Sequence, residues 1–167
     1  MVDQERAVRV TIRSITANEA FPLRRKHLRP TLPAAASRFP GDDDPAALHF
    51  GAVAGGELVG AISFLPRDQQ GEASIREYQL QGVITLPSVR NTGIGAQLVE
   101  EGIVQLTSRG ATRVWCDGRT PAMSFYKRLE FSAVGEEFVA PGTGPHYRFV
   151  RYLGNRANGS GDSERHA

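Results

Sequence analysis

The sequence predicts a single α/β domain of the α+β kind, built on one mixed sheet with helices on its faces. Three observations carry that class. Short runs of alternating apolar residues recur along the chain; one long amphipathic helical stretch, residues 93–109, interrupts them; and glycine and proline turns at 55–56 and 141–145 fold strands into hairpins. A length of 167 residues fits one domain with a core of its own, predicted over residues 1–153 with a disordered polar tail at 154–167.

The first strand is predicted at 7–13, where Val8, Val10 and Ile12 alternate with polar neighbours. Thr16 or Asn18 is set to cap a helix running to about Leu28, ended by Pro30. Its cluster Arg24, Arg25, Lys26, His27 and Arg29 reads as a solvated helix face. Residues 30–46, rich in Pro, Ala and Asp, read as an exposed loop of a length that often serves function. A hairpin follows, 48–52 returning through Gly55-Gly56 to 58–64. A polar connection at 67–74 leads to a strand over 75–86.

From Gly93 to Arg109 the period changes. At about 100° per residue, Ile94, Leu98, Val99, Gly102, Ile103 and Leu106 share one face, with Val104 the misfit, and Gly110 ends the helix. Residues 111–116 form a short apolar strand. Thr120-Pro121 reads as an N-cap with proline at the first helical position, opening a helix to about Glu130. Strands at 132–139 and 146–153 close the fold.

Composition excludes several functions. With 40% hydrophobic and 23% charged residues the chain is not disordered, and a net charge of +2 is a weak field for a polyanion. We therefore expect no nucleic-acid partner. Cys116 is the only cysteine, so there is neither a disulfide framework nor a zinc cluster. The charged start Met1–Arg6 has no apolar stretch behind it, and no run approaches the roughly 20 residues of a membrane span. The expectation is a cytoplasmic monomer or homodimer without a membrane partner.

The chemistry is concentrated at 82–96. A strand runs into Arg90-Asn91-Thr92-Gly93-Ile94-Gly95-Ala96, a glycine-containing loop that becomes the start of the amphipathic helix. First-turn amides have no intrahelical acceptor, and the helix dipole adds partial positive charge there. Glycines at 93 and 95 let a diphosphate approach the backbone, so the segment is an anion cradle. It is neither a Walker loop, lacking Gly-Lys-Ser/Thr, nor a dinucleotide fingerprint, since Leu98 stands where the third glycine belongs.

This loop resembles the acetyl-CoA signature of the GNAT acetyltransferase superfamily, Gln/Arg-x-x-Gly-x-Gly/Ala. Ala122-Met123-Ser124-Phe125-Tyr126 followed by Leu129-Glu130-Phe131 is similar to that family's Ala-x-x-Phe-Tyr-x-x-x-Gly-Phe segment, with Glu130 where glycine is common. Residues 135–138 with 144–146 resemble small bacterial members. The resemblance implies a mostly antiparallel GNAT-like sheet and acetyl-CoA bound at Arg90, Asn91, Thr92, Gly93, Ile94, Gly95 and Ala96. The pantetheine arm would lie along Val83, Ile84 and Thr85, with further contacts from Asp117 and Ser124. It also implies direct acetyl transfer to a primary amine of a small molecule or protein.

Deprotonating such an amine at pH 7 costs roughly 4–5 kcal/mol, whereas holding it against a thioester contributes about 7–11. Positioning is the larger effect. By the same resemblance Tyr126 is the candidate general acid, though Ala122, Phe125, Tyr126 and Leu129 share a helix face and a core role competes. Gln79 sits where relatives carry a glutamate base, leaving Glu77, two residues earlier on the same face, as the candidate, with His146 behind it. Cys116 reads as packing. Glu136, Glu137 and Asp42–Asp44 are the acids available to a cationic amine. Acceptor choice is expected in loops 30–46 and 140–146. Because Gln79 cannot take a proton, the alternative function is a catalytically silent acyl-CoA-binding sensor or scaffold.

Overall fold

The structure, a computed structural model, describes residues 9–67 and 76–154. Among the described residues seven strands form one sheet, in the order β1-β2-β3-β4-β5-β7-β6. They are β1 (Val10–Ser14), β2 (Leu48–Ala54), β3 (Glu57–Pro66), β4 (Glu77–Thr85), β5 (Arg113–Arg119), β6 (Ser132–Ala140) and β7 (Gly144–Tyr152). Every neighbouring pair is antiparallel except β4 and β5, which are joined by helix α2 (Ile94–Ser108). The mixed, mostly antiparallel expectation holds. Among the described residues no helix is long and apolar enough to cross a membrane.

Helix α2 buries the side its periodicity predicts, Ile94, Leu98, Val99, Gly102, Ile103 and Leu106, and leaves the misfit Val104 62% exposed. That side lies on Phe50, Ile62, Phe64, Leu80 and Val114 in the main core. The opposite face of the sheet carries α1 (Ala17–Leu23), where Ile15, Ala20 and Ala61 form a smaller cluster. Thr16 caps α1 in a full capping box with Glu19, as its position suggests.

Three expectations need correcting. The helix expected to run to Leu28 continues past Leu23 as a π-turn, Arg24–Leu28, and its first residue is no solvated cation. Arg24 is 1% exposed. It donates bidentately to Asp42 at 2.7 and 3.0 Å, to Ser63 Oγ at 2.8 Å and to the Ser37 carbonyl at 3.2 Å, and stacks 3.9 Å over the Phe39 ring. Asp42 in turn accepts from the Phe39 amide at 2.8 Å, so the loop at 30–46 is clasped to the sheet rather than loose. Second, Thr120 caps nothing. Residues Thr120–Ala122 form a 3₁₀ turn, α3 is the shorter Met123–Arg128, and the Thr120 hydroxyl donates to Glu137 at 2.8 Å. Third, β5 extends to Arg119, so Asp117 lies within the strand. The expected tail, and the connection at 67–74 apart from Arg67, lie outside the described residues, Gly154 excepted.

Candidate active site

The parallel pairing that joins the two halves of the sheet is short. Among the described residues, only Glu77, Tyr78 and Gln79 of β4 pair with Arg113, Val114 and Trp115 of β5. Beyond Gln79 the strands part. The loss coincides with a bulge: Gly82 takes φ +67° and the β3–β4 register shifts opposite it. Before the bulge Leu80 faces the main core; after it the core-facing residue is Val83. One extra residue has turned β4 over, which is how Val83 and Thr85 come to line the opening.

That opening is a cleft of about 820 Å³ between the end of β4, the start of α2 and the inner side of α3. Its floor at one end is the helix start. Gly93, the N-cap, has φ +85°, a left-handed conformation natural only to glycine, and nothing lies within 4 Å of the place its Cβ would occupy. The first intrahelical bond is Gln97 N–H to the Gly93 carbonyl at 3.0 Å. The amides from Gly93 to Ala96 therefore have no intrahelical acceptor, no side chain caps them, and no acidic residue stands in the first turn. Such a terminus attracts an anion. Arg90, Asn91, Gly93, Ile94, Gly95 and Ala96 all line the cleft. Arg90 Nε donates to the Thr85 carbonyl at 3.2 Å, tying the loop to β4, and the Thr92 hydroxyl donates to the Val89 carbonyl. Thr92 itself faces a neighbouring recess of about 540 Å³ instead.

Other expected residues divide. Ile84 is buried and does not line the cleft. Ser124 is on the exposed side of α3. Asp117 is held bidentately by Arg148, at 2.9 and 3.1 Å, on the face of β5 away from Tyr126. Glu77 begins β4, about 20 Å of strand from Val83, and its carboxylate pairs with Arg113 at 2.7 Å. It stands at the closed end of the splay, away from the cleft. The structure also adds residues the motif reading passed over. Phe125 and Arg128 line the cleft from α3, and Val89 from the loop. Arg128 follows Phe125 by three positions and so continues a face already recognised; that spacing was the available signal.

Tyr126 lines the far end, 8% exposed. Its ring stacks on Phe149 at 4.7 Å and meets Phe125 and Phe131 edge-on at 5.2 and 5.8 Å. Its hydroxyl is within hydrogen-bonding reach of the Cys116 thiol. Burial raises the phenol above its ordinary range, and the neighbouring thiol adds to the effect. Cys116 is likewise pushed up to about 12, by burial first. Since Cys116 follows Trp115, the last residue of β5 paired to β4, this contact lies at the apex where the strands part.

The frame around this cleft is a known one, since residues 14–131 match the acetyltransferase (GNAT) family. The chain belongs to the GNAT acetyltransferase family. Membership makes it an acyltransferase. It is similar to an uncharacterized N-acetyltransferase, YitI, of Bacillus subtilis (strain 168), at 27% identity over 142 residues, 85% of this chain and 95% of that protein. Among solved structures its fold is similar to an aminoglycoside 6'-N-acetyltransferase complexed with coenzyme A (17% identity, TM-score 0.70, 87% of this chain and 98% of that one). It is also similar to FeeM, an N-acyl amino acid synthase from uncultured soil microbes (14% identity, TM-score 0.74, 89% and 93%). At these identities the structural likeness speaks for the GNAT fold alone.

Proposed function

We propose that the protein is an acetyl-CoA-dependent N-acetyltransferase that passes the acetyl group directly to a primary amine of a small molecule or protein. The observation that carries this is the continuous path from free amides at Gly93–Ala96, past Val83 and Thr85, to Tyr126. The coenzyme diphosphate is held at the helix start by the amides with Arg90 and Arg128 alongside, and the pantetheine arm follows the edge of β4 after the bulge. The thioester comes to rest near the apex, where Tyr126 supplies a proton to the departing thiolate. Burial keeps the phenol protonated, so it has a proton to offer the sulfur as negative charge develops beside it in the same buried site. Asp117 and Ser124 lie off this path, so their part in holding the donor is small. Glu77, paired to Arg113 at the closed end of the splay, does not reach the thioester directly.

Thermal unfolding with acetyl-CoA tests the first part. A hundredfold excess over Kd adds about 2.7 kcal/mol of stability, a rise of roughly 5–10 °C for a chain of this size. Thiol release across a panel of primary amines tests the second. Stabilisation with no release for any amine would favour a silent acyl-CoA-binding module; no stabilisation would reject both. Tyr126→Phe should lower turnover while leaving the thermal shift in place, and unchanged turnover would remove Tyr126 from the chemistry.

A further inference from the structure

The reading above leaves the proton of the incoming ammonium without an acceptor. Gln79 cannot take it, and Glu77 is set back and paired to Arg113. From the last shared pair, Gln79 with Trp115, four residues lead to Val83 on β4 and to Arg119 on β5. β4 carries one extra residue at its bulge, so Arg119, about 13 Å up the splay, stands level with the stretch between Val83 and Thr85 that lines the cleft. The residue of β7 paired with Arg119 is His146. So one strand, about 4.8 Å, separates His146 from the β5 edge of the opening at the level of the donor cleft.

Its face is also defined. Gly118, one residue before Arg119, turns toward Tyr126 and Phe149. Asp117 and Arg119 face the other way, and His146 lies with them, on the side that carries the Asp117–Arg148 pair. The donor cleft and Tyr126 occupy the first face, so an amine reaches the thioester through the splay from the face of His146.

The imidazole is prepared for proton transfer. It is 8% exposed, stacked on Phe138 at 5.8 Å. Its Nδ1 lies 2.8 Å from the Gly144 carbonyl. A carbonyl oxygen only accepts, so in the neutral ring Nδ1 carries the hydrogen and Nε2 holds the lone pair. Among the described residues Nε2 has no hydrogen-bond partner, and it is not sealed from solvent. The charged groups nearest along the strands on this face are Arg119, Arg148 and Asp117, the last two bound to each other.

Resting on the acetyltransferase reading, we propose that His146 Nε2 is the general base that deprotonates the acceptor amine, directly or through one water. The ammonium gives a proton to Nε2, the freed nitrogen lone pair forms the C–N bond, and the C–S bond breaks. The thiolate takes its proton from Tyr126. The imidazolium and the second amine proton are discharged to solvent, with one of those protons restoring the phenol.

The test uses the full chain and an amine that the wild-type protein acetylates. His146→Ala should slow turnover about 100-fold or more, with the acetyl-CoA thermal shift unchanged. Added imidazole should restore part of the rate, because a free base then enters the vacated space. His146→Gln, which keeps a polar side chain for packing, should be as slow and gain nothing from imidazole. Long-range ¹H–¹⁵N spectra, with the ring assigned by His146→Gln, should show the neutral tautomer protonated on Nδ1. Turnover unchanged in a folded His146→Ala protein, loss without imidazole rescue, or a proton on Nε2 would each overturn the assignment. Wild-type protein that binds acetyl-CoA and acetylates no amine fails at the proposed function itself, and takes this assignment with it.

Discussion

Cys116 and Tyr126 show how far a single environment changes two ordinary side chains. Both are buried at the apex of the splay, in contact with one another, and burial holds both in their protonated forms. Burial keeps the Cys116 thiol protonated well above neutral pH. The native protein should therefore resist a disulfide reagent such as DTNB, releasing one thiol equivalent only when guanidinium unfolds it. Rapid stoichiometric reaction with the native state would show that the thiol opens into the cleft. The assignment of Cys116 to packing was legible because the strand around it is apolar. The positions of Glu77 and Asp117 were not. Their partners, Arg113 and Arg148, lie 36 and 31 residues away in sequence, and only the register of the sheet brings them together.

Among the elements, α2 and its preceding loop were the most legible, since a helical period and two glycines need no long-range information. The helix reads its own buried face to the residue. β4 was legible as a strand, and its bulge was not. One left-handed glycine in a run of nine changes which residues face the cleft, and alternation cannot reveal where the count slips. α3 was expected about one turn too long, counted over both ends, because Thr120-Pro121 carries the composition of a cap while its hydroxyl is drawn to Glu137 on β6. The packing of α3 on β5 has its own sharp test. A Cβ at Gly118 would sit 2.5 Å from Tyr126 Cε2 and 2.9 Å from Phe149 Cε2. Gly118→Ala should cost about 1–3 kcal/mol from overpacking, a fall of a few to about ten degrees in thermal unfolding. It should also reduce turnover by moving the phenol. A variant with the wild-type midpoint would mean that the ring has room to yield.

For the whole molecule, the clasp of Arg24 by Asp42 links the loop at 30–46 to the centre of the sheet. Both groups are nearly buried, 1% and 7% exposed at the side chain, so losing one partner leaves a charge without compensation. Asp42→Asn should cost about 3–5 kcal/mol at neutral pH. Burial by itself would raise the Asp42 carboxyl, but the hydrogen bond from Arg24 and that from the Phe39 amide outweigh it and the group is lowered. A lowered carboxyl stabilises the fold above its unfolded value of about 3.9, and that contribution disappears as pH falls through the folded value. The gap in unfolding midpoint between wild type and Asp42→Asn should therefore narrow as pH is taken from 5 toward 2. Parallel curves would show that the carboxylate titrates as it does in the unfolded chain. None of this was readable from the cluster at 24–29, because a buried arginine is recognised by the acid that closes on it.

The short seam between β4 and β5 has a geometric consequence. An open sheet ordinarily has two edges, at its first and last strands. This one, past its three shared pairs, has four, because the rims of β4 and β5 that face each other across the splay also lack a partner strand. Outer edges invite a second chain. The inner two lie between the start of α2 and α3, and their backbone donors and acceptors stay available to something slender and extended. The molecule thus keeps vacant, in its own middle, the place of an eighth strand.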